Sequence, residues 1–173
     1  MHQFEIKKDA VISAFSMNKS RDRVIVGGRQ ILCIQKFDHA FLEAKPKMTQ
    51  IKNFRTKRNS SLENTALEIQ WNQQEDNHVI FVCGNSTIFL YNVQRDKTQS
   101  YSEHSAKSFV DWSPHNPKQF VSGSNDCRIL IFDVDRSDKS VYELKRPNMY
   151  FDDRLGVECV KYNPHNDRQI ASC

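Results

Sequence analysis

The chain has 173 residues, of which 38% are hydrophobic and 27% charged, and a formal net charge of +4. This balance suits one ordinary globular domain and excludes a disordered chain, while the charge alone is too small to imply a nucleic-acid partner. The five cysteines, at 33, 83, 127, 159 and 173, are an odd number without a C-x-x-C pair. That pattern argues against a disulfide framework or a zinc site and reads as small apolar residues of strands in a reducing compartment.

In chain order, Gln3–Lys8 alternates apolar and polar residues and predicts a half-exposed strand. Val11–Ser16 predicts a second strand, closed by a polar turn from Asn18 to Asp22. Val24–Val26 and Ile31–Ile34 follow around Gly27-Gly28 and predict a hairpin with a glycine turn. Residues 39–64 break the pattern with Lys45, Lys47, Lys52, Arg55, Lys57 and Arg58, and read as an outer strand plus a long exposed loop.

A motif then recurs: a short strand ends in an aromatic residue and a polar turn, and a second apolar run follows. Its copies are Ile69-Gln70-Trp71-Asn72 before Val79–Cys83, Val110-Asp111-Trp112-Ser113 before Gln119–Ser122, and Val160-Lys161-Tyr162-Asn163 before Gln169–Cys173. Trp71 and Trp112 are 41 residues apart, and Trp112 and Tyr162 are 50 apart, which suits four short strands per unit. Runs such as Val79–Val82 and Ile129–Phe132 are apolar on both faces, so each predicts a sheet covered on both sides. The resulting reading is all-β, with a blade-closing strand at 3–8 and repeats at about 10–64, 65–103, 104–146 and 154–173. The sequence ends within the fourth repeat, so about three to four blades with an unclosed ring, uncovered faces and self-association are expected.

Phe120–Asp126 with Ile129–Asp133 resembles the WD40 propeller family, Phe132-Asp133 standing at the family's Trp-Asp position and Glu103-His104 at its Gly-His. The resemblance implies that His104, Ser122 and Asp126 join a hydrogen-bonded tetrad that ties a loop to its blade. Phe132 replaces the tetrad's Trp and cannot donate, so that network is at best partial. The order of motifs from Phe4–Lys8 through Val24–Leu32 to Glu103-His104-Ser105 is further similar to WD-repeat subunits of the GATOR/SEA nutrient-sensing complex. That similarity implies a scaffold for other WD-repeat subunits and Sec13/Seh1-like propellers. Its output would be amino-acid-dependent control of target-of-rapamycin signalling at the lysosomal or vacuolar surface.

No catalytic motif, cofactor loop or metal-ligand spacing stands out, so no enzymatic activity, cofactor or metal is expected. Asp111 and Asp126 read as turn and loop hydrogen-bonding groups, Glu75-Asp76 and Asp152-Asp153 as solvated charge, and His115 and His165 as turn residues. The start of the chain lacks the apolar core of a secretory signal, and no run is long enough to span a membrane. A cytoplasmic chain, recruited to membranes only peripherally, is the expectation. The alternative reading is a basic WD40 domain that binds nucleic acid or an anionic surface through residues 45–58, with Lys52, Arg55, Lys57 and Arg58 as contacts.

Overall fold

A computed structural model describes residues 11–37, 48–54, 66–84, 86–136, 139–144 and 156–173. The predicted strand at 3–8, residues Arg55, Lys57 and Arg58, and Asp152-Asp153 lie outside them. Fourteen short strands account for the regular structure of the described residues. The first sheet holds β1 (Val11–Met17), β2 (Arg23–Arg29), β3 (Ile31–Phe37) and β4 (Met48–Asn53), in that order. The second holds β5 (Ala66–Trp71), β6 (His78–Cys83), β7 (Ile88–Asn92) and β8 (Lys97–Tyr101). The third holds β9 (Ser108–Trp112), β10 (Gln119–Ser124), β11 (Ile129–Asp133) and β12 (Tyr142–Leu144). β13 (Val160–Tyr162) and β14 (Ile170–Ser172) pair as a fourth, two-stranded sheet. Each sheet is an antiparallel meander whose first strand contacts the first strand of the next, and the described sheets do not close a ring.

The apolar clusters lie between sheets, which explains runs that are apolar on both faces. In β6, Val79 and Phe81 turn to the first blade and join Ile25, Leu32 and Ile34 there, whereas Ile80 and Val82 turn to the third. β11 divides in the same way, with Leu130 and Phe132 facing the second blade and Ile129 and Ile131 the fourth. A period-two strand thus feeds two different cores, and neither blade can bury its faces without its neighbours.

The glycines have a role other than the predicted turn. Gly27 and Gly28 are interior to β2, and no glycine of the described residues has positive φ. The hairpin corners fall instead at Gln30 (φ 66°), Ser86 (φ 71°) and Cys127 (φ 68°), non-glycine residues held in the left-handed region by the strands on either side. Gly27 and Gly123 occupy matching strand positions where the next blade comes closest. A Cβ on Gly27 would meet Ile69 Cδ1 at 2.5 Å, and one on Gly123 would meet Val157 Cγ1 at 2.5 Å. Glycine is used here for close sheet-on-sheet approach rather than for chain reversal.

Candidate functional site

Three of the four candidate tetrad residues meet in the third blade. His104 lies in the connection from β8 to β9, Ser122 inside β10, and Asp126 at the turn between β10 and β11. His104 Nδ1 lies 3.0 and 3.1 Å from the two Asp126 oxygens, and Nε2 lies 2.7 Å from Ser122 Oγ. Asp126 also accepts the backbone N–H groups of Ser105 at 3.0 Å and Arg128 at 3.1 Å. One carboxylate therefore joins the entry to the inner strand with the corner of the next hairpin. Phe132 is fully buried but outside this chain of bonds; its ring stacks on Phe120 at 4.9 Å and meets Tyr101 edge-on at 4.9 Å. The matching strand positions in the first two blades carry Val26 and Phe81, which offer no hydroxyl.

Protonation states follow from burial. Burial pushes the His104 imidazole below its ordinary value, and the Asp126 carboxylate opposes this without reversing it. The ring is therefore neutral at pH 7: Nδ1–H donates to Asp126 and Nε2 accepts the Ser122 hydroxyl, a hydrogen bond rather than an ion pair. Burial would raise Asp126, but the Ser105 N–H and the His104 ring hold it below the ordinary carboxylate range.

A pH dependence results. His104 and His78 are both lowered, chiefly by burial, so below about pH 6.5 the unfolded chain binds protons that the folded chain refuses. Their contribution to stability is complete above that pH and is lost on acidification towards their folded values. Glu68, pushed up by burial, acts in the opposite sense at lower pH. The urea midpoint is expected to fall between pH 7.5 and pH 5.5, with the His104 ring titrating by NMR below the ordinary histidine value. A flat midpoint together with a charged His104 ring would contradict the neutral network.

Sequence reading missed a second polar system, which joins successive blades. The Trp71 N–H donates to Ser16 Oγ at 2.9 Å, the Val110 N–H to Glu68 Oε2 at 2.9 Å, and the Tyr162 N–H to Asp111 Oδ2 at 2.9 Å. Each time, a side-chain oxygen on one inner strand receives a backbone donor from the inner strand of the next blade. Ser16 and Asp111 share one position, immediately before the residue that ends the strand, and that spacing is the signal by which they could have been found. Asp111 also pairs with Lys161 Nζ at 2.8 Å, so its role is inter-blade rather than in a turn.

At the end of the blades opposite Asp126, the polar turns are joined in a similar way. Asp76 accepts from the Lys19 N–H at 2.9 Å, the Ser20 hydroxyl at 2.6 Å and Asn18 Nδ2 at 3.2 Å. It is thus an acceptor for the first blade's turn, in place of the solvated charge expected from sequence. Asn72 Nδ2 donates to the Pro117 carbonyl at 2.7 Å, and the His115 ring donates to the Asn163 carbonyl at 2.9 Å. The Trp112 indole also crosses between blades, to the Gln70 carbonyl at 3.1 Å.

Of the basic contact set, only Lys52 lies among the described residues. It projects from β4 and pairs with Asp96 of the β7–β8 turn. Its ammonium also lies 5.6 Å from the Tyr91 ring centroid, and the Tyr91 hydroxyl donates to the same Asp96 at 2.9 Å. Lys52 is thereby engaged in a bridge between the first and second blades. Among the described residues, no group of three or more His, Cys, Asp or Glu side chains is placed to hold a metal ion, and no helix is long and apolar enough to cross a membrane.

Four-stranded meanders stacked through their faces, each first strand against the next, make this an all-β, partial WD40-type propeller. Relatives agree with that class. The chain is 28% identical over 141 residues to the E3 ubiquitin-protein ligase COP1 of Arabidopsis thaliana, covering 80% of this chain and 19% of that protein. It is 25% identical over 135 residues to the GATOR2 complex protein WDR24 of Homo sapiens, covering 75% of this chain and 16% of the relative. It is also 24% identical over 103 residues to Protein SUPPRESSOR OF PHYA-105 1 of Arabidopsis thaliana, covering 58% of this chain and 9% of that one. All three are WD-repeat proteins, and the chain spans a fifth or less of the length of each. No family model matches the chain.

Proposed function

We propose that the chain is a non-enzymatic WD40 scaffold for protein–protein interaction. The observation that carries this reading is the rigid tying of the connections at both blade ends, by the Asp126 network at one and by Asp76, Asn72 and His115 at the other. Loops fixed on a stiff frame recognise partners at a low ordering cost, and recognition in such folds resides in loops. In this reading His104, Ser122 and Asp126 are structural, and Phe132 supplies packing where a donor would complete the tetrad.

The finer reading is a subunit of a GATOR/SEA-type assembly that works with other WD-repeat and Sec13/Seh1-like propellers in amino-acid-dependent target-of-rapamycin signalling, at or near the lysosomal surface. The similarity to WDR24 over three quarters of the chain supports it. The alternative, nucleic-acid binding through residues 45–58, is weakened because Lys52 already has Asp96 as its counter-ion.

Affinity purification of the tagged chain from nuclease-treated extract separates the two. Co-purification with Sec13/Seh1-like propellers, unchanged by nuclease, supports the assembly reading. RNA or DNA binding that falls steeply with salt and is lost when Arg55, Lys57 and Arg58 are neutralised overturns it.

A further inference from the structure

Cys159 and Cys173 form a cross-strand pair. They continue the β13–β14 register, in which Val160 faces Ser172, Lys161 faces Ala171 and Tyr162 faces Ile170. Their backbones exchange both hydrogen bonds, each N–H reaching the other's carbonyl at 3.2 Å. Two residues that exchange both bonds in an antiparallel ladder have Cα atoms about 5.5 Å apart, inside the disulfide range of about 4.4–6.8 Å. Directly opposed in the ladder, the two side chains share one face of the hairpin. Val160 and Tyr162 alternate to the other face and are buried against the third blade with Val121, Ile129 and Val157. Cys173 is exposed and Cys159 half-buried, whereas Cys33 and Cys83 are buried.

From this register, the paired backbone bonds and the exposure we infer that Cys159 and Cys173 are a redox-active dithiol that closes reversibly to an intramolecular disulfide by exchange with a small-molecule disulfide of the glutathione class. Exposure sets the order of events. The Cys173 thiolate attacks one sulfur of the small disulfide and expels one thiolate, which takes up a proton; Cys173 is left as a mixed disulfide. Cys159 then loses its proton and attacks the Cys173 sulfur, releasing the second small thiol. Two protein thiols lose two electrons and two protons, and one small disulfide becomes two thiols. Burial and the neighbouring Cys173 push the Cys159 thiol up, which suits it to the second, intramolecular attack rather than the first. The bond pins the hairpin whose inner strand holds Lys161 and Tyr162 against Asp111.

The test is to equilibrate the folded 173-residue chain in glutathione buffers of graded poise, alkylate the remaining thiols, and digest with trypsin. The expected result is a cross-linked product of peptides 155–161 and 169–173 from monomeric protein, abolished by dithiothreitol, with Cys33 and Cys83 alkylated only after unfolding. Cys159→Ser should trap Cys173 as a glutathione adduct, and Cys173→Ser should leave Cys159 largely unmodified. The inference is overturned if the wild-type chain stops at a Cys173 adduct with Cys159 free, if it forms disulfide-linked dimers instead, or if neither thiol reacts.

Discussion

Phe120→Ala is expected to lower the unfolding free energy by about 3–5 kcal/mol, the usual range for deleting a buried aromatic ring. Phe120 is fully buried at the junction of the second and third blades. It stacks on Phe132 at 4.9 Å and meets Tyr101 at 5.3 Å and Trp112 at 5.6 Å, both edge-on. These neighbours come from β8, β9 and β11, so the cavity cannot close without shifting two blades. A loss of that size is comparable with the whole stability of many domains, roughly 5–15 kcal/mol. Phe120→Leu keeps most of the buried volume and should cost less than about 1.5 kcal/mol. Urea denaturation measures both. An alanine variant within about 1 kcal/mol of wild type would show that the four rings do not form a common core.

Asp126→Ala is expected to cost about 2–4 kcal/mol, because each buried donor left unpaired costs roughly 1–3 kcal/mol. The variant strips His104 Nδ1–H of its acceptor where the ring is buried, and frees the N–H groups of Ser105 and Arg128 at a less buried edge. Asp126→Asn keeps one acceptor oxygen but presents a donor in place of the other, so it should lie between wild type and alanine. Coupling is the sharper test. In a double-mutant cycle with Ser122→Ala, an interaction energy of about 0.5–3 kcal/mol is expected, since both act through one imidazole. Strict additivity would mean that Asp126 and Ser122 hold His104 independently.

How much of this was legible depended on where each partner lay in the chain. The strands and their two-faced burial could be read because apolar alternation is local to five or six residues. His104, Ser122 and Asp126 could be singled out because all belong to one repeat and match a family pattern. Asp76 and Asp111 could not: Asp76 lies 56 residues from Ser20 and Asp111 lies 51 from Tyr162, and a carboxylate in a polar stretch reads the same whether solvated or bonded to the next blade. Gly27 misled for a related reason. A glycine near a hairpin suggests the corner, whereas here the demand came from Ile69 on the neighbouring blade.

By itself, the sequence determined the repeat, the all-β class and the aromatic residue that ends each of the inner strands β5, β9 and β13. These follow from period-two patterning and turn chemistry, which act over a few residues. The tertiary structure alone decided which of two cores each strand residue enters, that Lys52 is neutralised by Asp96, and that Cys159 lies opposite Cys173. The physical reason is that blade stacking and strand register bring together groups from different repeats or strands, and no local propensity encodes who will face whom.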